Sequence, residues 1–154
     1  MANDLILRVV TKWLSPIIIL FALYVQFHGD YSPGGGFQAG VIFSSAILLY
    51  ALTYGLDAAL QLIPEYMLRI GASLGVLIYG GVGVASMILG GNFLNYSVLA
   101  STSIAGQHLG IIIIELGVGI TVASVMVLLF FTFARRVAGT CMSAQLNIRL
   151  LQPA

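Results

Sequence analysis

The sequence predicts an all-α, polytopic integral membrane protein with four transmembrane helices and both termini in the cytoplasm. Hydrophobic residues make up 60% of the 154 residues and charged residues only 7%, which is too little charge to cover the surface of a soluble domain. The mean hydropathy is +1.06. The apolar residues also fall into four runs, each close to the length of about 20 residues that crosses a bilayer as a helix. Together these observations predict a single membrane domain that occupies the whole chain, 1–154.

The first predicted span covers about residues 9–27. Arg8 and Lys12 lie at its entrance, where long basic side chains can reach the headgroups while their stems stay in apolar surroundings. Pro16 follows in the first turns and allows a kink, because proline removes one hydrogen bond of the helix.

Three further spans follow, at about residues 37–55, 67–89 and 109–133, and each is a long apolar run bounded by polar residues. The remaining residues, 135–154, are predicted to form a cytoplasmic tail. The third loop, about residues 90–107, is polar but uncharged. It is open whether this loop lies at the interface, re-enters the membrane or packs against a partner, since irregular backbone is not tolerated facing lipid.

The basic residues predict the orientation. With four spans, all six fall on one side of the membrane: Arg8, Lys12, Arg69, Arg135, Arg136 and Arg149. Loops rich in lysine and arginine stay in the cytoplasm, so both termini and the second loop are predicted to be cytoplasmic. The turn between spans one and two and the third loop are then predicted to face outward.

The turn between the first two spans is rich in residues that determine the backbone conformation. It reads Pro33-Gly34-Gly35-Gly36-Phe37 and is wedged between two apolar runs. Proline fixes the backbone before the triplet, whereas the glycines allow close approach of another backbone. We expect this structural loop to set the angle between spans one and two.

Glycines also recur at the four-residue spacing that lets membrane helices pack closely. The pairs are Gly36 and Gly40, Gly71 and Gly75, and Gly106 and Gly110. This spacing predicts close helix packing, either within the chain or against partner subunits.

Glu115 is the acidic residue that lies well inside a predicted span. It sits six residues after Leu109, about 9 Å down a helix. An ionised carboxylate at that depth costs a few kcal/mol, so it must be protonated, paired, or facing protein or water. A proton or cation path is one interpretation. A hydrogen bond between helices, or a contact with a partner subunit, is the other.

Three further titratable residues are predicted on the same side of the membrane as Glu115. His28 and Asp30 follow span one, and His108 precedes span four. Histidine can shuttle protons near neutral pH, so these residues are candidates for the same ion path. Solvated side chains or turn caps are the alternative.

Several chemistries are not indicated. A net charge of +1 gives no electrostatic reason to bind nucleic acid. The sequence has no Cys/His cluster at metal-ligand spacing and no nucleophile beside a base, so we expect no cofactor, no metal and no enzymatic activity. No Gly-Lys-Ser/Thr follows the glycine triplet, so it is not a phosphate-binding loop.

The turn His28-Gly29-Asp30-Tyr31-Ser32-Pro33-Gly34-Gly35-Gly36-Phe37-Gln38-Ala39-Gly40 resembles the Pro-Gly-Gly-Gly-Phe signature of the MnhB/MrpB family. Glu115-Leu116-Gly117-Val118 resembles the acid-x-Gly-Val pattern of the same family. The resemblance covers nearly the whole chain, with four spans and the signature after span one.

This resemblance implies the B subunit of a multisubunit Mrp-type antiporter that exchanges sodium for protons in a prokaryotic plasma membrane. Other subunits of the complex would be its partners, and Glu115 would be a candidate member of an ion path. A purely structural subunit, and the equivalent small subunit of a membrane-bound hydrogenase or another respiratory-type complex, remain alternatives.

Overall fold

The structure, a computed structural model, describes residues 2–29, 34–100 and 102–150, with side chains from 5 to 29, 34 to 100 and 102 to 137. The predicted site residues Asp30 and Pro33 therefore lie outside the described residues. All regular secondary structure in the described ranges is helical.

Five α-helices follow one another along the described chain. They are α1 (Ala2–Phe27), α2 (Gly36–Tyr54), α3 (Leu56–Leu62), α4 (Glu65–Ile88) and α5 (Ser103–Leu150). A short 3-10 turn, Tyr96–Val98, lies between α4 and α5. Four of the helices contain segments that are long and apolar enough to cross a membrane: Leu5–Phe27, Gly36–Tyr54, Glu65–Ile88 and Ser103–Val137. The prediction of an all-α chain with four spans is confirmed.

The boundaries of α5 differ from the predicted span. The helix begins at Ser103, six residues before the predicted 109, and its backbone continues through Leu150. The backbone N–H of Ala105 donates to the Thr102 hydroxyl at 3.4 Å, so a side chain caps the early start. A helix satisfies its own backbone hydrogen bonds, and nothing requires it to end where the apolar run ends.

A short helix, α3, occupies the connection that the sequence left unassigned. Gly55, with φ of 95°, breaks the chain between α2 and α3 in a conformation that favours glycine. Ala59 of α3 is fully buried and belongs to a cluster with Ala51, Leu68 and Phe131. Helix α3 therefore closes one end of the bundle.

The spanning helices form a row in the order α1, α2, α5, α4. Helix α1 packs on α2, α2 packs on α5, and α5 packs on α4. Helices α2 and α5 thus occupy the centre, while α1 and α4 form the edges and expose most of their large apolar side chains. Sequence neighbours are therefore not always spatial neighbours, because the last helix inserts between the second and the fourth.

Glycines make the two central contacts possible. A Cβ on Gly40 of α2 would lie 2.7 Å from the carbonyl oxygen of Gly119 in α5. A Cβ on Gly117 of α5 would lie 2.9 Å from the carbonyl oxygen of Gly75 in α4. Both distances are too short for any side chain, so the backbones touch directly. The predicted close helix packing is confirmed for Gly36 with Gly40 and for Gly71 with Gly75, and these contacts lie within the chain. Gly106 and Gly110 pack instead against Tyr96 of the third loop.

Polar contacts link several helices at one end of the bundle, which we call the basic end. The starts of α1 and α4 and the later part of α5 lie at this end. Nη1 of Arg135 lies 2.6 Å from Oε1 of Glu65. The Tyr54 hydroxyl donates to the carbonyl oxygen of Arg8 at 3.1 Å. The opposite end, which holds the glycine turn and the third loop, is called the turn end.

The third loop folds back onto its own helices at the turn end. The ring of Phe93 occupies the space beside Gly83, and that of Tyr96 occupies the space beside Gly110. The backbone N–H of Leu94 donates to the buried Ser86 hydroxyl at 3.1 Å. Burial raises the pKa of the Tyr96 phenol, and Tyr79 adds to the effect. The loop thus ties α4 to α5.

Candidate functional site

The carboxylate of Glu115 lies inside the turn that joins α1 to α2. Its oxygens fill the space beside Gly29, where any Cβ would collide with them. On the other side, a Cβ on Gly35 would lie 2.9 Å from Oε1 of Glu115. One glycine before the turn and one after it therefore leave room for the Glu115 carboxylate.

The backbone of Glu115 is held as closely as its side chain. A Cβ on Gly36 would lie 3.0 Å from Cα of Glu115, and nearer still to its carbonyl oxygen. Gly29, Gly35 and Gly36 thus surround this residue, and we call them the glycine cradle. The half-buried position of Glu115 follows directly from the absence of side chains in the cradle.

The cradle also places the carboxylate at a helix N-terminus. Helix α2 begins at Gly36, and its N-cap residue, Gly35, supplies no side chain to cap it. The free N–H groups of a first turn carry a partial positive charge that favours a nearby anion. Helix α2 therefore offsets part of the cost of a negative charge on Glu115 within a membrane span.

The two predicted histidines lie at the turn end, as expected, on the exposed surface. His28 stacks on Tyr24 with ring centroids 4.2 Å apart. His108 precedes Glu115 by seven residues on α5, which is about 10 Å along the helix axis. The structure thus brings Glu115 together with the glycines of the turn, and His28 directly precedes the glycine that contacts the carboxylate. Phe37, the last residue of the signature, exposes its ring beside half-buried Gly34.

Sequence reasoning missed the roles of two residues that complete this region. Gly29 contacts the carboxylate, although it stands outside the Pro-Gly-Gly-Gly run. Gln26 directs its side-chain oxygen at Gly119, one helical turn from Glu115. The available signal was an amide at the penultimate position of an apolar helix, together with a glycine four residues after an intramembrane acid.

The arrangement suits the exchange of a proton or a monovalent cation. A carboxylate accepts and releases a proton, and its oxygens attract a small cation. Within the part of the chain whose side chains are described, no group of three His, Cys, Asp or Glu residues could hold a metal ion. Among the described side chains, Glu115 is the carboxylate that the glycine cradle encloses.

Comparison with known proteins places the chain in a family. The family described as "Domain related to MnhB subunit of Na+/H+ antiporter" matches residues 6–128. The chain belongs to the MnhB family. The match to MnhB includes the whole glycine cradle, Gln26 and Glu115, and it ends inside α5.

Individual MnhB relatives are similar over most of their length. The B subunit of the Na(+)/H(+) antiporter of Bacillus subtilis (strain 168) is 35% identical over 130 residues, which are 78% of this chain and 90% of the relative. The protein provisionally named antiporter subunit mnhB2 of Staphylococcus aureus (strain Newman) is 38% identical over 128 residues, 81% of this chain and 90% of the relative. The family resemblance seen in the sequence is confirmed.

Proposed function

We propose that this chain is the B subunit of a multisubunit Na+/H+ antiporter, and that Glu115 is part of its ion path. The observation that carries the proposal is the enclosure of the Glu115 carboxylate by the glycine cradle at the N-terminus of α2. Gly29 and Gly35 face the carboxylate and leave room for it, whereas Gly36 makes room for the backbone of Glu115. The names of the relatives supply the transported ions, sodium and protons.

In this proposal the charge of Glu115 alternates. The carboxylate binds a proton in one state and is ionised, or paired with a sodium ion, in the other. The positive end of α2 and the absence of side chains in the cradle keep both states accessible. Other subunits of the complex continue the path, because one carboxylate spans only part of the membrane.

A scaffolding role is the second candidate, and it rests on α4. A Cβ added at Gly80 or at Gly81 would meet no heavy atom within 4 Å, although the other glycines of that helix touch α5 or the third loop. Such an open glycine pair suits close contact with a helix of another subunit. The two roles are compatible, since the proposed ion path lies at the central helices α2 and α5 and the open glycine pair lies on α4, at one edge of the row.

Replacing Gly29 with alanine tests the ion path without removing the carboxylate. The added methyl group would displace the Glu115 carboxylate, which is the movable end of a flexible side chain. We expect Na+/H+ antiport in membrane vesicles to fall about tenfold, the scale on which displacement of a reacting group acts, while the complex still assembles. The measurement is sodium-dependent proton movement, with assembly checked by copurification.

The double variant Gly29→Ala with Glu115→Asp is the matched control. Aspartate is shorter by one methylene, so it makes room for the alanine methyl group. We expect the double variant to be more active than Gly29→Ala alone. Full antiport in Gly29→Ala would contradict a role for the position of the carboxylate.

We further propose that the chain lies in the plasma membrane of a prokaryote with the basic end in the cytoplasm. The six basic residues of the sequence support this orientation. In a background with Cys141→Ser, a cysteine at exposed Thr102 should react with an impermeant maleimide in intact cells. A cysteine at exposed Gln61 in α3 should react only after permeabilisation. The reverse pattern would overturn the orientation.

A further inference from the structure

We propose that the cleft between α1 and α5 holds water on the side of Glu115 that faces away from the turn end, with Gln26 as the residue that orders this water. The role of this water rests on the proposed function of Glu115, but the presence of the water can be tested separately. It starts from a cavity of about 230 Å³ that neither helix packing nor the glycine cradle explains.

The cleft lies directly beside the site. Its walls come from three helices, with Ala22 and Gln26 from α1, Gly40 and Phe43 from α2, and Gly119 and Ala123 from α5. Gly119 is four residues from Glu115, which is about 6 Å along the helix axis. Gln26 is the penultimate residue of α1, whereas Ala22 and Ala123 lie further from the turn end. The cleft therefore extends from the level of Gln26 toward the middle of the bundle.

Gln26 is the chemical reason to expect water there. Its amide faces the cleft, and no group in the described part of the chain forms a hydrogen bond with it. An unpaired amide inside a membrane-spanning segment costs several kcal/mol in hydrocarbon, because lipid tails offer no hydrogen bonds. The cost disappears if water occupies the cleft, and the cavity has room for several molecules.

Water in this position would complete the site. The cradle covers Glu115 from the side of the glycine turn, whereas the cleft approaches it along α5. A proton leaving the carboxylate could then pass to water held by Gln26. Most of the remaining wall is apolar, so the ordered water would depend on this one amide.

Cysteine reactivity tests the water directly in the assembled complex. In a Cys141→Ser background, Ala123→Cys places a thiol in the cleft, and Leu20→Cys places one on the exposed apolar surface of α1 at a similar depth. Thiols react as thiolates, which form only where water is present. We expect a charged methanethiosulfonate reagent to modify Ala123→Cys at least tenfold faster than Leu20→Cys. Adding Gln26→Leu should remove that difference.

Equal rates for the two cysteines would overturn the proposal. A fast reaction in the isolated subunit that is lost in the complex would also overturn it, since a partner side chain would then cover Gln26. Neither result depends on transport. If Ala123→Cys is fast but Glu115→Gln keeps full antiport, the cleft holds water and the proposed ion path is wrong. If the cysteine is slow but Glu115→Gln abolishes antiport, the ion path stands without this cleft.

Discussion

Vesicles containing the complex with Glu115→Gln are expected to lose sodium-dependent proton movement, by about a hundredfold or more, while the complex still assembles. Glutamine has nearly the same shape as glutamate, so it should fill the glycine cradle and preserve the contact between α2 and α5. It cannot take up or release a proton, and losing a positioned acid–base group typically costs about two to four orders of magnitude. The measurement is antiport in everted vesicles, with subunit content as the assembly check.

Two variants serve as controls for this prediction. Asp57→Asn removes an exposed carboxylate from α3 at the basic end and should leave antiport unchanged. Glu115→Asp keeps the acid but withdraws it by one methylene, so we expect partial activity. Normal antiport with Glu115→Gln would exclude Glu115 from the path. Loss of assembly in the same variant would instead indicate a structural role for Glu115.

The spans were predictable because their cause is local. A run of about 20 apolar residues must cross the bilayer as a helix, whatever surrounds it. The early start of α5 at Ser103 was not predictable in the same way, because that segment is polar and depends on the Thr102 cap. Helix α3 was missed for a similar reason. Its formation depends on burial of Ala59 against residues from three other helices.

The site was predictable only in part. The sequence identified Glu115 as the costly group and placed the glycine turn on the same side of the membrane. It gave no means of knowing that α5 inserts beside α2, because spacing along one helix does not say which helix it faces. The contacts of Glu115 with Gly29 and Gly35 depend on that order. The prediction therefore identified the acid and the turn but not the contact between them.

Helix α5 carries Glu115 and also packs against both of its neighbours through glycines on two of its faces. Gly119 meets Gly40 of α2, and Gly117 meets Gly75 of α4. The position of Glu115 relative to the cradle is thus set by backbone contact along one of these faces. Any change that separates α2 from α5 should displace the carboxylate as well as loosen the bundle.

Replacing Gly36 with leucine is expected to abolish assembly of the complex. Even the Cβ of alanine would lie 2.7 Å from the carbonyl carbon of Glu115, and that atom belongs to backbone, which cannot rotate away. We expect Gly36→Ala to lower the free energy of unfolding of the isolated chain by about 3 kcal/mol, the upper part of the usual range for overpacking. Thermal unfolding in detergent and copurification with the other subunits measure the two effects.

Gly81→Ala is the matched control, because the space beside this exposed glycine of α4 is open. Alanine is the better helix former, so the isolated chain should be unchanged or more stable by up to about 1 kcal/mol. We thus expect the change in the free energy of unfolding on glycine-to-alanine substitution to have opposite signs at these two helical glycines, because a backbone lies against Gly36 but not against Gly81. Equal destabilisation at both positions would contradict this account, because the loss would then not depend on the contact between α2 and Glu115. Loss of assembly in Gly81→Ala, with the isolated chain still stable, would place a partner subunit on the open face of α4.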